Sequence, residues 1–162
     1  MRKLEAAPVT LEAGVPPGYL RVRDEAMHAL GVGTMRAMRS VVTGLFLTSL
    51  RNRDYTLAEK INLWRGKAAA GVSTMWQEIL ATNLAERVPS VGVPVYFLHG
   101  VHDYTCACAE ASAYFDRLTA PLKGFYTFSE SAHSPMFEEP DRFMAILRED
   151  VLNGTNRLAD RR

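Results

Sequence analysis

The chain has 162 residues, of which 48% are hydrophobic and 23% charged, and its nineteen basic and eighteen acidic residues leave a net charge of +1. That composition is ordinary for one globular domain, and the near-neutral balance gives no electrostatic basis for binding nucleic acid or an anionic membrane. No apolar run approaches the ~20 residues that span a bilayer, and the opening Met1-Arg2-Lys3-Leu4-Glu5-Ala6-Ala7-Pro8 lacks the apolar core of a signal peptide, so a cytoplasmic location is the expectation.

Residues 1–18 are interrupted by Pro8, Gly14, Pro16, Pro17 and Gly18 and read as an extended arm. Tyr19 to Leu30 sets Leu20, Met27 and Leu30 among charged residues, a short amphipathic helix ending at Gly31 or Gly33. His28 on that helix is expected to face solvent. Met35 to Leu50 carries Met38, Val41, Val42, Leu45, Phe46 and Leu50 at helical spacing and predicts a second, largely buried helix. Thr56-Leu57-Ala58-Glu59 has the form of a capping box, in which Thr56 and Glu59 satisfy each other's amides.

The helix that starts there places Leu57, Ile61 and Trp64 on one face, and the pattern continues past a bend at Gly66 or Gly71 to Leu80. Trp64, Met75 and Trp76 are candidates for core, with the lining of a substrate pocket as the alternative. Asn83 to Gly92, punctuated by Pro89 and Gly92, separates this helix-only pattern from an alternating one. The predicted organisation is an arm over 1–18, a helical region over 19–90, an α/β segment over 91–153 and a loose polar tail over 154–162.

The α/β segment holds the chemistry. An apolar run from Val93 to Leu98 breaks at His99-Gly100-Val101-His102-Asp103, and a second, Gly124 to Phe128, breaks at Ser129-Glu130-Ser131-Ala132-His133. Glu110 to Leu118 between them is helix-compatible, and a further helix runs from about Asp141 to Leu152, begun by Pro140 and carrying Phe143, Ile146, Leu147 and Val151 on one face. This alternation predicts parallel strands joined by a crossover helix. Asp103 and His133 then each follow the carboxyl end of a strand, where open α/β sheets gather reactive groups. An acid and an imidazole so placed suit a nucleophile-activating system in which the acid fixes the imidazole tautomer.

Two stretches carry a family resemblance. They are Val93-Pro94-Val95-Tyr96-Phe97-Leu98-His99-Gly100-Val101-His102-Asp103-Tyr104-Thr105 and Phe128-Ser129-Glu130-Ser131-Ala132-His133-Ser134-Pro135-Met136-Phe137-Glu138-Glu139-Pro140. They resemble the closing segments of capped α/β-hydrolases of the proline-iminopeptidase-like group, with similarity running from roughly Tyr55 to Leu152. The resemblance implies a partial α/β-hydrolase fold: a helical cap region followed by the last two parallel strands and their helices. It implies Asp103 as the acid and His133 as the base of a Ser-His-Asp triad acting on ester or peptide bonds, with no cofactor.

The family's nucleophile stands in a Gly-x-Ser-x-Gly turn between strand and helix, and this sequence has no such motif. Gly71-Val72-Ser73-Thr74-Met75 comes nearest but lacks the closing glycine and sits in a helical pattern. The expectation is a chain inactive alone, whose substrate would be a small ester or peptide once a nucleophile-bearing segment completes the site. A strand pair of this kind also leaves an apolar edge, so a homodimer or a partner chain is expected there. The alternative is a non-catalytic scaffold acting as a dimerisation or interaction module. Cys106 and Cys108 build neither a disulfide framework nor a zinc site by themselves, and His99 with His102 lacks a third ligand at sensible spacing, so no metal is predicted.

Overall fold

A computed structural model of the chain describes Met27, residues 35–38, Ser40, residues 42–70, 78–79 and 81–162. The predicted arm, the helix from Tyr19 to Leu30 with His28, and the stretch holding Ser73, Met75 and Trp76 lie outside these residues, Met27, which is helical, excepted. The chain separates into two compact units, one containing the described residues from Ser40 to Asn83, the other those from Met27 to Met38 and from Leu84 onward. Together they make a mixed α/β protein with a two-stranded parallel sheet.

The first unit is helical among the described residues. A wide π-helical turn, Val42–Phe46, leads into α1, Leu47–Arg51, and α2 runs from Leu57 to Ala70. The predicted long helix from Met35 is therefore shorter. Met35 to Met38 form a turn closed by the Met38 N–H on the Met35 carbonyl at 3.1 Å, and Val42, Thr43 and Gly44, all weak helix formers, make up the first wide turn. Nor is it largely buried: Met38 is, but no residue of α1 is, because a helix of five residues is too short to lay a continuous apolar stripe on a partner. Phe46 instead meets Trp64 edge-on at 5.0 Å, and the Trp64 indole donates to Ser49 Oγ at 2.8 Å.

α2 opens with the expected capping box. The Glu59 N–H reaches Thr56 Oγ1 at 3.3 Å, while Glu59 Oε2 accepts from the Thr56 N–H and hydroxyl, each at 2.7 Å. Those Thr56 bonds hold the Glu59 carboxyl below its ordinary range. The helix continues through Gly66, a single glycine costing only about 1 kcal/mol in a helix interior, and Gly71, the other place expected for a bend, lies outside the described residues. Its expected apolar face is open: Leu57 and Ile61 are 71% and 51% exposed.

The second unit holds the sheet. After a short helix, α3 (Leu84–Arg87), which falls in the predicted connection, come β1 (Val95–Gly100), α4 (Cys108–Arg117) and β2 (Lys123–Phe128). They are followed by α5 (Pro135–Glu138) and α6 (Pro140–Ile146), the last prolonged by a wide turn over Leu147–Val151. β1 and β2 pair in parallel with Val95 beside Lys123 and Gly100 beside Phe128. Pairing starts at Val95 rather than at the expected Val93 because Pro94 has no N–H to donate, and the Val95 N–H makes the first bond, to Leu122 at 2.9 Å.

Alternation along the strands gives the sheet two faces, and each is covered. On one, Phe97 and Phe125 stack at 5.9 Å and meet Phe115 of α4 at 5.5 and 5.4 Å. On the other, Tyr126, Phe128 and Ile146 are wholly buried, with Tyr96, Leu98, Phe143, Val151 and Leu158 packed round them. Asp150, also wholly buried, is satisfied there by the Tyr126 hydroxyl at 2.8 Å, the Thr155 hydroxyl at 2.7 Å, and the Arg157 and Leu158 N–H groups at 2.7 and 2.8 Å. Burial works to raise its pKa, but these bonds outweigh it and leave the carboxyl below its ordinary range.

The predicted loose tail is instead tied down. Gly154, at φ +61°, makes the left-handed turn that reverses the chain. Phe125 then exchanges backbone hydrogen bonds with Asp160 and Arg161, while Asn156 donates to the Lys123 carbonyl at 2.6 Å. Asp160 accepts from the Thr127 N–H at 2.6 Å and from Arg142 at 3.0 Å.

Candidate active site

Asp103 lies three residues past β1 and His133 five past β2. Because the strands are parallel, both loops leave from the same end of the sheet, and the two side chains meet there. His133 Nδ1 is 2.7 Å from Asp103 Oδ2. An ionised carboxylate only accepts, so Nδ1 carries the proton and Nε2 is left with a free lone pair. The Asp103 side chain is 4% exposed and that of His133 41%, an arrangement with a buried acid and an imidazole open to solvent.

The carboxylate is fixed from behind. Its Oδ1 accepts from the N–H groups of Thr105 and Cys106 at 2.8 and 3.0 Å, and its own N–H bonds the Gly100 carbonyl at 3.1 Å. His99 adds a tether, with Nε2 3.0 Å from the Cys106 carbonyl and 3.9 Å from Asp103 Oδ2. His99 and His102 thus serve the Asp103 loop separately: His102 contributes its N–H to the Ser131 carbonyl at 3.1 Å.

Sequence reading missed two supports of the pair. The first is Gly100, where a Cβ would overlap the carbonyl oxygens of Ser131 and Ala132. Only glycine lets the His133 loop cross the end of β1 so closely. The second is the pair of carboxylates at Glu138 and Glu139. Glu138 accepts from the Ala132 N–H at 2.8 Å and from the Arg36 N–H, while Glu139 accepts from the Glu130 N–H at 3.0 Å and the Ser131 hydroxyl at 2.6 Å. The signal was present in Glu138-Glu139-Pro140, where two acids ahead of a helix-starting proline follow a loop of unpaired amides. Ser131 is buried and its hydroxyl is committed to Glu139, so it is not offered to His133.

Both cysteines are free thiols, Cys106 exposed and Cys108 partly so. Local desolvation, and then the negative Asp103 beside it, push the Cys106 thiol above its ordinary pKa. In the first unit, Phe46, Leu50, Lys60, Ile61, Trp64 and Arg65 line an open hollow of about 410 Å³. No helix among the described residues is long and apolar enough to cross a membrane.

Over 70 residues, 43% of its length, the chain is 38% identical to the protein named "Probable aminopeptidase YbaC" of Bacillus subtilis (strain 168). The chain resembles part of a hydrolase. The matched segment spans 22% of that relative's length, and neither a family model nor a solved structure matches the chain.

Proposed function

We propose that Asp103 and His133 are the acid and base of a Ser-His-Asp triad in a capped α/β-hydrolase of the proline-iminopeptidase-like group, acting on a small ester or peptide. The observation that carries this reading is the 2.7 Å bond from His133 Nδ1 to a carboxylate that backbone amides hold in place. In the reaction, His133 Nε2 takes the proton of a serine hydroxyl as its oxygen attacks the carbonyl carbon, and returns it to the leaving group. Asp103 stabilises the imidazolium between the two transfers. The nucleophile and the oxyanion donors belong to a segment outside these 162 residues, and the likeness to a probable aminopeptidase favours amide-bond chemistry.

The test is an amino-acid p-nitroanilide and a short-chain ester offered to the chain alone and to the chain joined to a segment bearing a serine elbow. The chain alone is expected to stay at background, because acid and base without nucleophile and oxyanion donors lower the barrier little. The completed enzyme should turn over, and Asp103→Asn or His133→Ala should lower kcat by about 10⁴-fold or more. Completed enzyme indifferent to His133→Ala would sink the assignment.

A second reading, an interaction module, is favoured by the uneven edges of the sheet. The outward groups of β2 are occupied: the Lys123 carbonyl by Asn156, both groups of Phe125 by Asp160 and Arg161, and both groups of Thr127 by Asp160 and Arg142. In β1 the alternating pattern turns the amides of Tyr96, Leu98 and Gly100 outward, where no strand pairs with them among the described residues. The Tyr96 hydroxyl is buried with no hydrogen-bond partner among the described residues. This reading predicts a dimer of the isolated chain by light scattering that Leu98→Pro converts to folded monomer; a monomeric wild-type chain removes it.

A further inference from the structure

The geometry points to a site for a thiophilic divalent cation, of which Zn²⁺ is the type, made by Asp103, Cys106 and His133. One carboxylate oxygen, one imidazole nitrogen and the Cys106 Sγ lie within 4.8 Å of one another. These are the three donor types that zinc takes, at about 2.0–2.2 Å for oxygen, 2.0–2.1 Å for nitrogen and 2.3 Å for sulfur. Donors round one tetrahedral ion at those lengths stand about 3.4–3.6 Å apart. From 4.8 Å or less the approach to that spacing is short, and the two residues that must turn, Cys106 and His133, are the exposed ones.

The third donor is already immobile. Asp103 is buried, its Oδ1 held by the Thr105 and Cys106 amides, so Oδ2 is presented in one direction. Outer bonds of this kind orient a ligand and raise metal affinity. His99 works to the same end by clamping the Cys106 carbonyl, which sets where the thiol projects. With three protein donors the fourth tetrahedral position is left to water.

On binding, Cys106 gives its proton to solvent as the metal–sulfur bond forms, the ion takes the place of the proton between His133 Nδ1 and Asp103 Oδ2, and that proton passes through solvent to Nε2, leaving a neutral imidazole bound through Nδ1. The 2.7 Å hydrogen bond and the bound ion are therefore mutually exclusive. This consequence deepens the hydrolase reading above: metal at this site withdraws the base from the reaction and acts as an off state. Cys106 has no part in the proposed proton transfers, so its role would be regulation alone.

The experiment is calorimetric titration of ZnCl₂ into the reduced 162-residue chain, beside Cys106→Ser, Cys108→Ser and Asp103→Asn, with circular dichroism to verify folding. One ion per chain is expected, with the Kd raised about tenfold or more by Cys106→Ser and by Asp103→Asn, and unchanged by Cys108→Ser. Cobalt loading should give a thiolate charge-transfer band that Cys106→Ser removes without loss of fold. No binding, or binding indifferent to Cys106→Ser, overturns the site. Zinc binding by a chain whose completed form hydrolyses nothing would uphold the metal site and remove the hydrolase reading, whereas a completed enzyme whose turnover ignores zinc would do the reverse.

Discussion

The helical unit and the sheet unit are built from similar apolar side chains and treat them differently. Leu57, Ile61 and Leu63 on α2 are 71%, 51% and 53% exposed, while Tyr126, Phe128 and Ile146 have no exposure at all. Apolar content does not decide this; layering does. A sheet only two strands wide still offers two faces, and α4 and α6 cover one each, so every inward position meets atoms on the far side. A helix of fourteen residues beside one of five offers no enclosed layer, and its leucines remain available.

The contrast can be broken most forcefully at Phe128. Phe128→Ala should destabilise the chain by about 3–5 kcal/mol in urea unfolding followed by near-ultraviolet circular dichroism; a loss under about 1 kcal/mol would mean that the core packs loosely. Asp150 ranks next. Its folded pKa is lowered, so its contribution is complete above the ordinary carboxylate range and is lost as pH falls through the folded value. The urea midpoint should accordingly drop on acidification below about pH 4, and Asp150→Asn should cost about 1–3 kcal/mol at neutral pH while flattening that slope. The smallest effect belongs to α2: Leu63→Ala should change stability by no more than about 0.5 kcal/mol, and a larger loss would show that this leucine is covered in solution.

What was legible in the sequence was what rests on local rules. Thr56 and Glu59 form their cap because they stand three positions apart, and Pro140 starts α6 because its missing N–H costs nothing in a first turn. Asp103 and His133 meet because short loops leave the same end of adjacent parallel strands, which strand–helix–strand alternation already implies. What was hidden depends on distant partners. Gly100 reads as a plain loop glycine until the Ser131 and Ala132 carbonyls lie against it. The polar string from Thr155 to Arg162 has no periodicity, and its order comes from Asp150 and Phe125, far away in sequence. The burial expected of the Met35–Leu50 stretch holds at Met38 and fails at Leu50, because periodicity tells which residues share a face, not whether anything lies opposite.

The docked C-terminal segment also sets a limit on assembly. By occupying both outward groups of Phe125 and the Thr127 N–H it leaves, among the described residues, a ribbon with one extendable side. Strand addition can then happen once, on β1. Two copies that met through that side would use it up on both, so association by this route stops at a closed pair and has no second edge from which a filament could grow.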